Sequence, residues 1–155
     1  MNLFTYGTLM TADGVRAVLG DRAEALSYRV ARLSGWRRIW NVFREEWGGG
    51  VLNVERREGS VVVGVLVEGL SEADFEDLDR SEANHLPRES VVVEPENGEP
   101  VPAQLYCRRQ GNHTGRPSAR YLGVVLERAR RSGHAVLDNL RLASVDAAGR
   151  PAALP

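Results

Sequence analysis

The sequence predicts an α+β fold, a small mixed β-barrel of about six strands with three or four flanking helices. Strand-like segments outnumber helical ones and do not alternate regularly with them, as they would in a doubly wound parallel sheet. The longest apolar run, VVVGVLV at residues 61–67, has the length of a strand and enough apolar residues to be buried on both faces. Such a strand belongs in the middle of a sheet or barrel.

The amino-terminal elements are short. Residues 2–6, NLFTY, are rich in β-formers and stop at Gly7, which predicts a first strand that ends in a turn. The segment VRAVLG has its apolar residues on one face and a glycine at its end, which predicts a short helix capped by Thr11 or Asp13.

The next segments predict long β-structure. Residues 25–43 mix aromatic and β-branched residues with arginines and break at Ser34-Gly35, which indicates two strands or one bent strand with its arginines in solvent. WGGG at residues 47–50 is interpreted as a flexible joint. Residues 51–70 are predicted to form a hairpin that turns near residues 58–60.

The carboxy-terminal half predicts helices around a second hairpin. A capping-box-like start at Ser71 opens a helix to about residue 81. RESVVVE and VPAQLYCRR flank an Asn97-Gly98 turn and form the hairpin. Residues 117–133 show the three-and-four apolar spacing of an amphipathic helix, and AVLDNLRLA is a shorter one. Residues 1–145 are interpreted as one domain and residues 146–155 as a loose tail.

Composition excludes several classes of protein. A chain of 155 residues with 43% apolar and 26% charged residues fits one globular core. Twenty basic and 21 acidic residues leave no basic excess for phosphate, so nucleic acid is not expected as a partner. The sequence shows no signal peptide and no membrane-length apolar run, so a cytoplasmic location away from membranes is expected.

Several familiar site types are not expected. His85, His113 and His134 stand alone, without Cys or His at zinc-ligand spacing, and are interpreted as surface residues; no metal or other cofactor is predicted. The sequence has no serine-hydrolase elbow and no P-loop. Cys107, the single cysteine, is interpreted as a small core residue in a strand.

The segment YGTLM at residues 6–10 is a candidate binding loop. A strand that ends in Gly-Thr can expose consecutive backbone N–H groups, and glycine allows the charged oxygens of a ligand to approach closely. An ordinary turn after a strand is the alternative interpretation of the same residues.

Three stretches of the sequence form a set: FTYGTLM at residues 4–10, VVVGVLVEGLSEADFEDLDRSEA at residues 61–83 and PSARYLGVVLERARRSG at residues 117–133. Together they resemble the γ-glutamylcyclotransferase family. They occur in the family's order and at compatible separations. With GWRRIWNV and WGGGVLNV between them, the resemblance covers most of the chain up to about Gly133.

The resemblance implies a small mixed barrel with flanking helices, a small-molecule γ-glutamyl substrate and an active site. In that site the loop at residues 6–10 would hold the α-amino acid end of the substrate, and the glutamate of the L-D-x-x-E motif would be the acid/base. Carried over residue by residue, the acid/base is Glu82, and the substrate-binding residues are Tyr6, Gly7, Thr8, Leu9, Met10 and Tyr121. The nearby Asp77 and Asp79 are interpreted as residues of a solvated helix face.

The sequence departs from the family pattern beside Glu82. Relatives commonly have a glycine where this chain has Ala83, and an aromatic residue where it has Leu86. In the family these positions face the variable end of the substrate, so the resemblance leaves the identity of the leaving group open. The resemblance implies conversion of a γ-glutamyl amide to 5-oxoproline without metal, nucleotide or covalent intermediate. The alternatives are a γ-glutamylamine cyclotransferase that acts on a larger amine, and a non-catalytic binding module.

Overall fold

The computed structural model describes all 155 residues. The strands are β1 (Asn2–Thr5), β2 (Ser27–Arg44), β3 (Gly49–Glu68), β4 (Glu89–Pro95), β5 (Val101–Leu105) and β6 (Val145–Asp146). The first five close into a barrel in the order β3-β1-β5-β4-β2, with β2 pairing back to β3, and β6 extends the sheet beside β2. Only β1 and β5 pair in parallel within the barrel. The predicted α+β mixed barrel is confirmed.

Four α-helices surround the barrel: α1 (Ala12–Leu19), α2 (Glu72–Ser81), α3 (Ala119–Ser132) and α4 (His134–Ala143). The predicted capping box opens α2, where the Asp74 N–H donates to Ser71 Oγ over 3.2 Å and the Ser71 N–H donates to Asp74 Oδ2 over 2.9 Å. The hydroxyl oxygen of Ser118 accepts from the Tyr121 N–H at the start of α3, which ends at Gly133. These helices are confirmed.

The long ribbon of β2 and β3 corrects one prediction and confirms another. Residues 27–43 of the predicted segment 25–43 lie in one strand with two register shifts, so the interpretation as a single bent strand is confirmed. Residues 51–70 do not form a hairpin, because β3 runs continuously through residues 58–60. Gly59 lies in a bulge: Ser34 pairs with Val61, but Trp36 pairs with Arg56. The hairpin turn falls at residues 45–48, before β3 begins.

The core has two apolar clusters on opposite faces of the barrel wall. Successive residues of a strand point to opposite faces, so Phe4 packs into the barrel interior while Leu3 packs outside against α1 and α2. The interior cluster continues beneath α3 and α4. The run at residues 61–67 is almost wholly buried, and its strand pairs on both sides with β1 and β2, as predicted.

Two details near the carboxyl terminus refine the predictions. The β4–β5 hairpin with its turn at Asn97-Gly98 is confirmed, but β5 ends at Leu105, so Cys107 is buried just after the strand and not within it. Beyond β6 the chain forms a turn: the Asp146 carboxylate accepts from two backbone N–H groups, and the Ala152 N–H donates to Ser144 O. The segment predicted as a loose tail therefore begins with a hydrogen-bonded turn.

None of the helices combines the length and the apolar character that a membrane crossing requires.

Candidate active site

One pocket brings together most of the residues predicted for the site. It lies where the loop after β1, the end of α2 and the start of α3 converge, and it contains about 420 Å³ of space, including its open mouth. The predicted residues that line it are Tyr6, Gly7, Thr8, Leu9, Glu82 and Tyr121. Met10 lies outside the pocket wall, buried in the core with its sulfur 3.8 Å from Arg38 Nη2.

The loop at residues 6–10 presents three backbone N–H groups without a partner in the protein. The N–H groups of Gly7, Thr8 and Leu9 donate to no backbone carbonyl and to no side chain. The carbonyl oxygen in the same peptide unit as each N–H accepts a hydrogen bond. Tyr6 O accepts from Arg38, Gly7 O from the Met10 N–H, and Thr8 O from Arg128. In a trans peptide the N–H points away from the carbonyl, so these contacts fix the directions of the three free donors.

A buried arginine supports this loop from behind, and the sequence interpretation of it as solvated is wrong. Arg38 is 2% exposed and donates to Tyr6 O at 2.9 Å, Val63 O at 2.8 Å and Asn139 Oδ1 at 2.6 Å. All three oxygens are neutral, so the positive charge is not cancelled by its hydrogen-bond partners. Burial lowers the pKa of Arg38 to about 9. A cation beneath three free N–H groups creates a local preference for an anion.

Glu82 is the one buried carboxylate that faces into the pocket. It is the capping residue that follows the last turn of α2, and it is 9% exposed. The carboxylate makes no hydrogen bond within the protein, and its nearest cation is Arg44, with Nη1 3.8 Å from Oε2. Burial raises the pKa of Glu82; Arg44 opposes that shift and Glu46 adds to it. An acid with this environment can take up and release a proton nearer neutral pH than an exposed glutamate.

His85 is also part of this pocket, which corrects its interpretation as a surface residue. The imidazole is 3% exposed, because the short turn after Glu82 folds it inward against β3. Its Nε2 lies 3.2 Å from Leu52 O and its Nδ1 lies 3.5 Å from Glu82 Oε2. Burial lowers the pKa of His85 to about 4, so the ring is neutral and the contact with Glu82 is not an ion pair.

The acids on α2 are not a purely solvated face. Asp79 Oδ1 accepts from the Tyr106 hydroxyl at 2.6 Å and lies 2.9 Å from Arg88 Nε. Since Tyr106 lines the pocket, Asp79 supports the pocket wall. Asp77 pairs with Arg22 on the outer side. The solvated interpretation therefore holds only in part for both residues, since the side chains of Asp77 and Asp79 are 29% and 32% exposed and each pairs with an arginine.

Two tyrosines complete the pocket. The Tyr6 hydroxyl donates to Tyr106 O at 2.5 Å, so its own proton is already used. Tyr121 is held edge-to-face by Trp47 and Trp40, with ring centroids 5.1 Å and 5.8 Å away. Burial, followed by the charge of Glu82, raises the pKa of both tyrosines. Both therefore remain protonated at neutral pH.

Sequence reasoning missed four pocket or support residues: Arg38, Arg44, His85 and Tyr106. His85 had one local signal, because it follows Glu82 by three residues, a spacing that places two side chains close together in a tight turn. The two arginines had none, since β2 contains other arginines that remain exposed or half-exposed.

Comparisons with known proteins identify the family and the fold of this chain. The chain matches the family "Gamma-glutamyl cyclotransferase, AIG2-like" over residues 3–123. No curated protein matches the sequence. A solved structure named "Gamma-glutamyl cyclotransferase" superposes with a TM-score of 0.74 at 18% identity, over 86% of this chain and 80% of that one.

Two further solved structures share the fold. An uncharacterized protein from Homo sapiens gives a TM-score of 0.74 at 18% identity, over 85% of this chain and 79% of that one. YkqA from Bacillus subtilis gives 0.75 at 18% identity, over 90% of this chain and 52% of that one. The fold and the pocket define a mixed-barrel protein with a buried carboxylate beside a loop of free N–H groups. The chain belongs to the gamma-glutamyl cyclotransferase, AIG2-like family.

Proposed function

We propose that this protein is a γ-glutamyl cyclotransferase, which converts a γ-glutamyl amide to 5-oxoproline and releases the free amine or amino acid. The observation that supports this most strongly is the pairing, within one pocket, of a buried carboxylate at Glu82 with the three free N–H groups of residues 7–9. The first can move a proton, and the second can hold a carboxylate. A γ-glutamyl group offers both an α-carboxylate and an α-ammonium.

In the proposed reaction the loop N–H groups bind the α-carboxylate, with the charge of Arg38 behind them. Binding folds the γ-glutamyl chain so that the α-nitrogen lies near the γ-carbonyl carbon. Orientation of an already intramolecular reaction can lower the barrier by about 7 kcal/mol or more. Tyr121 and Tyr6, both protonated, shape the walls around the folded chain.

Glu82 would then act twice. Its carboxylate takes a proton from the α-ammonium, and the freed amine attacks the γ-carbonyl carbon to form the new C–N bond of the lactam. The protonated carboxyl gives its proton to the departing nitrogen as the old C–N bond breaks. The α-nitrogen loses a second proton as the lactam forms, and that proton ends on the released amine, which leaves as an ammonium.

The buried carboxylate of Glu82 also argues against the alternative of a binding module that does not catalyse a reaction. A buried carboxylate without a hydrogen bond is costly to keep in the folded state. A module that only binds the α-carboxylate would need the loop alone. An acid/base role accounts for a carboxylate that is left free of partners.

The test is to incubate the purified protein with γ-glutamyl amino acids and with γ-glutamylamines and to detect 5-oxoproline by mass spectrometry. The two sets of substrates distinguish the two leaving groups. Glu82→Gln should fold, still bind a γ-glutamyl ligand and turn over at least about a hundredfold more slowly. Glu76→Gln, on the exposed side of the same helix, is the matched control and should keep the wild-type rate. A Glu82→Gln protein with the wild-type kcat would refute the proposal.

A further inference from the structure

His85 occupies an unusual position beside Glu82. Its imidazole is buried, and one ring nitrogen, Nε2, lies 3.2 Å from the Leu52 carbonyl oxygen. The other, Nδ1, has no hydrogen-bond partner and is 3.5 Å from Glu82 Oε2. A buried polar atom without a partner is unfavourable, and here it is directed at the proposed acid/base.

The contact with Leu52 fixes the tautomer of the ring. A backbone carbonyl only accepts hydrogen bonds, so Nε2 must carry the hydrogen that is donated to it. A neutral imidazole has one N–H, which leaves Nδ1 with an unprotonated lone pair. Burial, together with the nearby Arg44 and Arg108, lowers the pKa of His85 and keeps the second proton off. The Nδ1 lone pair therefore faces the Glu82 carboxyl.

The groups around Glu82 leave this contact available. Arg44 from β2 and Glu46 from the following turn influence it by charge, while the phenols of Tyr6, Tyr106 and Tyr121 stay neutral. None of them hydrogen-bonds the carboxylate. When Glu82 is ionised, an oxygen lone pair and a nitrogen lone pair face each other and no hydrogen bond is possible. When Oε2 gains a proton, the same two atoms become donor and acceptor.

We propose that Nδ1 of His85 is the hydrogen-bond acceptor for the protonated Glu82 carboxyl, which makes His85 a positioning residue for the acid/base. A small rotation of the carboxyl shortens the 3.5 Å separation to a normal O–H···N distance. The bond exists only in the protonated form, so it strengthens Glu82 as a base, and it breaks when the carboxyl turns to give its proton to the departing nitrogen. The role in turnover rests on the proposed function, whereas the contact itself does not.

The experiment compares the wild type with His85→Gln. Glutamine can keep an N–H directed at Leu52 O but has no acceptor at the position of Nδ1. Titration of the Glu82 carboxyl by ¹³C NMR, assigned from its absence in Glu82→Gln, should show a midpoint lower by about one pH unit in His85→Gln. The acid limb of kcat/KM should move to lower pH by the same amount. His134→Gln, an exposed histidine, is the control and should change neither.

A second measurement needs no His85 variant. The ¹⁵N signals of the wild-type ring should show a protonated Nε2 and a bare Nδ1 at neutral pH, and the Nδ1 signal should move with the same midpoint as the Glu82 carboxyl. An imidazolium at neutral pH, or an unchanged Glu82 midpoint in His85→Gln, overturns the inference. If no γ-glutamyl compound is converted while both NMR results hold, the proposed function fails and the contact stands.

Discussion

Replacing Gly7 with alanine tests how tightly the loop is packed against Tyr121. A Cβ on Gly7 would lie 2.8 Å from the Tyr121 hydroxyl oxygen and 3.9 Å from Leu52 Cδ1. Ordinary contact begins at 3.4 Å, so the hydroxyl would have to move by about 0.6 Å, the difference between 3.4 and 2.8 Å. The ring has little freedom, because it is 5% exposed and packed between Trp40 and Trp47.

The expected effect follows from this overlap. Overpacking a rigid site costs about 1–3 kcal/mol, so Gly7→Ala should lower the free energy of unfolding by that amount. Tyr121→Phe removes the atom that clashes. In that background the alanine should cost less than about 0.5 kcal/mol, so the double-mutant cycle should show a coupling of about 0.5–3 kcal/mol. Urea unfolding of the four proteins measures every term.

The cycle also separates packing from ligand access. If the effects of the two substitutions on stability simply add, the alanine does not meet the hydroxyl and the geometry above is wrong. If Tyr121→Phe restores the stability of Gly7→Ala but no 5-oxoproline forms, even though Tyr121→Phe alone is active, the added methyl group itself blocks the loop N–H groups. Gly7→Val, with a bulkier side chain, should lose activity in both backgrounds.

Three further predictions concern acid, helix packing and metals. Because the pKa of His85 is about 4 in the folded protein and 6.5 in a free chain, the unfolded state gains a proton first on acidification. Protonation of His85 in the unfolded state should therefore lower the free energy of unfolding by about 2 kcal/mol between about pH 7.5 and 5. The contribution of Glu82 has the opposite sign, because its pKa is raised in the folded state. Urea unfolding of His85→Gln should not show the loss that His85 causes. Gly14→Ala places a Cβ 1.8 Å from Thr8 O, a backbone atom, and should cost at least about 3 kcal/mol, whereas Gly123→Ala meets nothing within 4 Å and should stabilise slightly. EDTA should leave turnover unchanged, and an inhibition that zinc reverses would contradict a metal-independent mechanism.

Local sequence signals determined much of the fold. The capping box at Ser71 and the turn at Asn97-Gly98 each depend on three or four neighbouring residues, so the sequence predicts them without the rest of the chain. The apolar run at residues 61–67 predicted a central strand because burial on both faces needs an unbroken apolar segment. The prediction of Glu82 as the acid/base came from the resemblance to a family and not from local sequence signals.

The tertiary structure decided what local signals left ambiguous. Gly59 can serve a turn or a bulge, and the long pairing of β3 with β2 selected the bulge. Arg38 and His85 are polar residues that sequence places in solvent by default. They are buried because residues far along the chain supply their partners: Asn139 for Arg38, and Leu52 for His85. Burial and hydrogen-bond partners depend on contacts between distant segments, so the sequence determined most of the helices and strands, and the tertiary structure decided the electrostatics of the site.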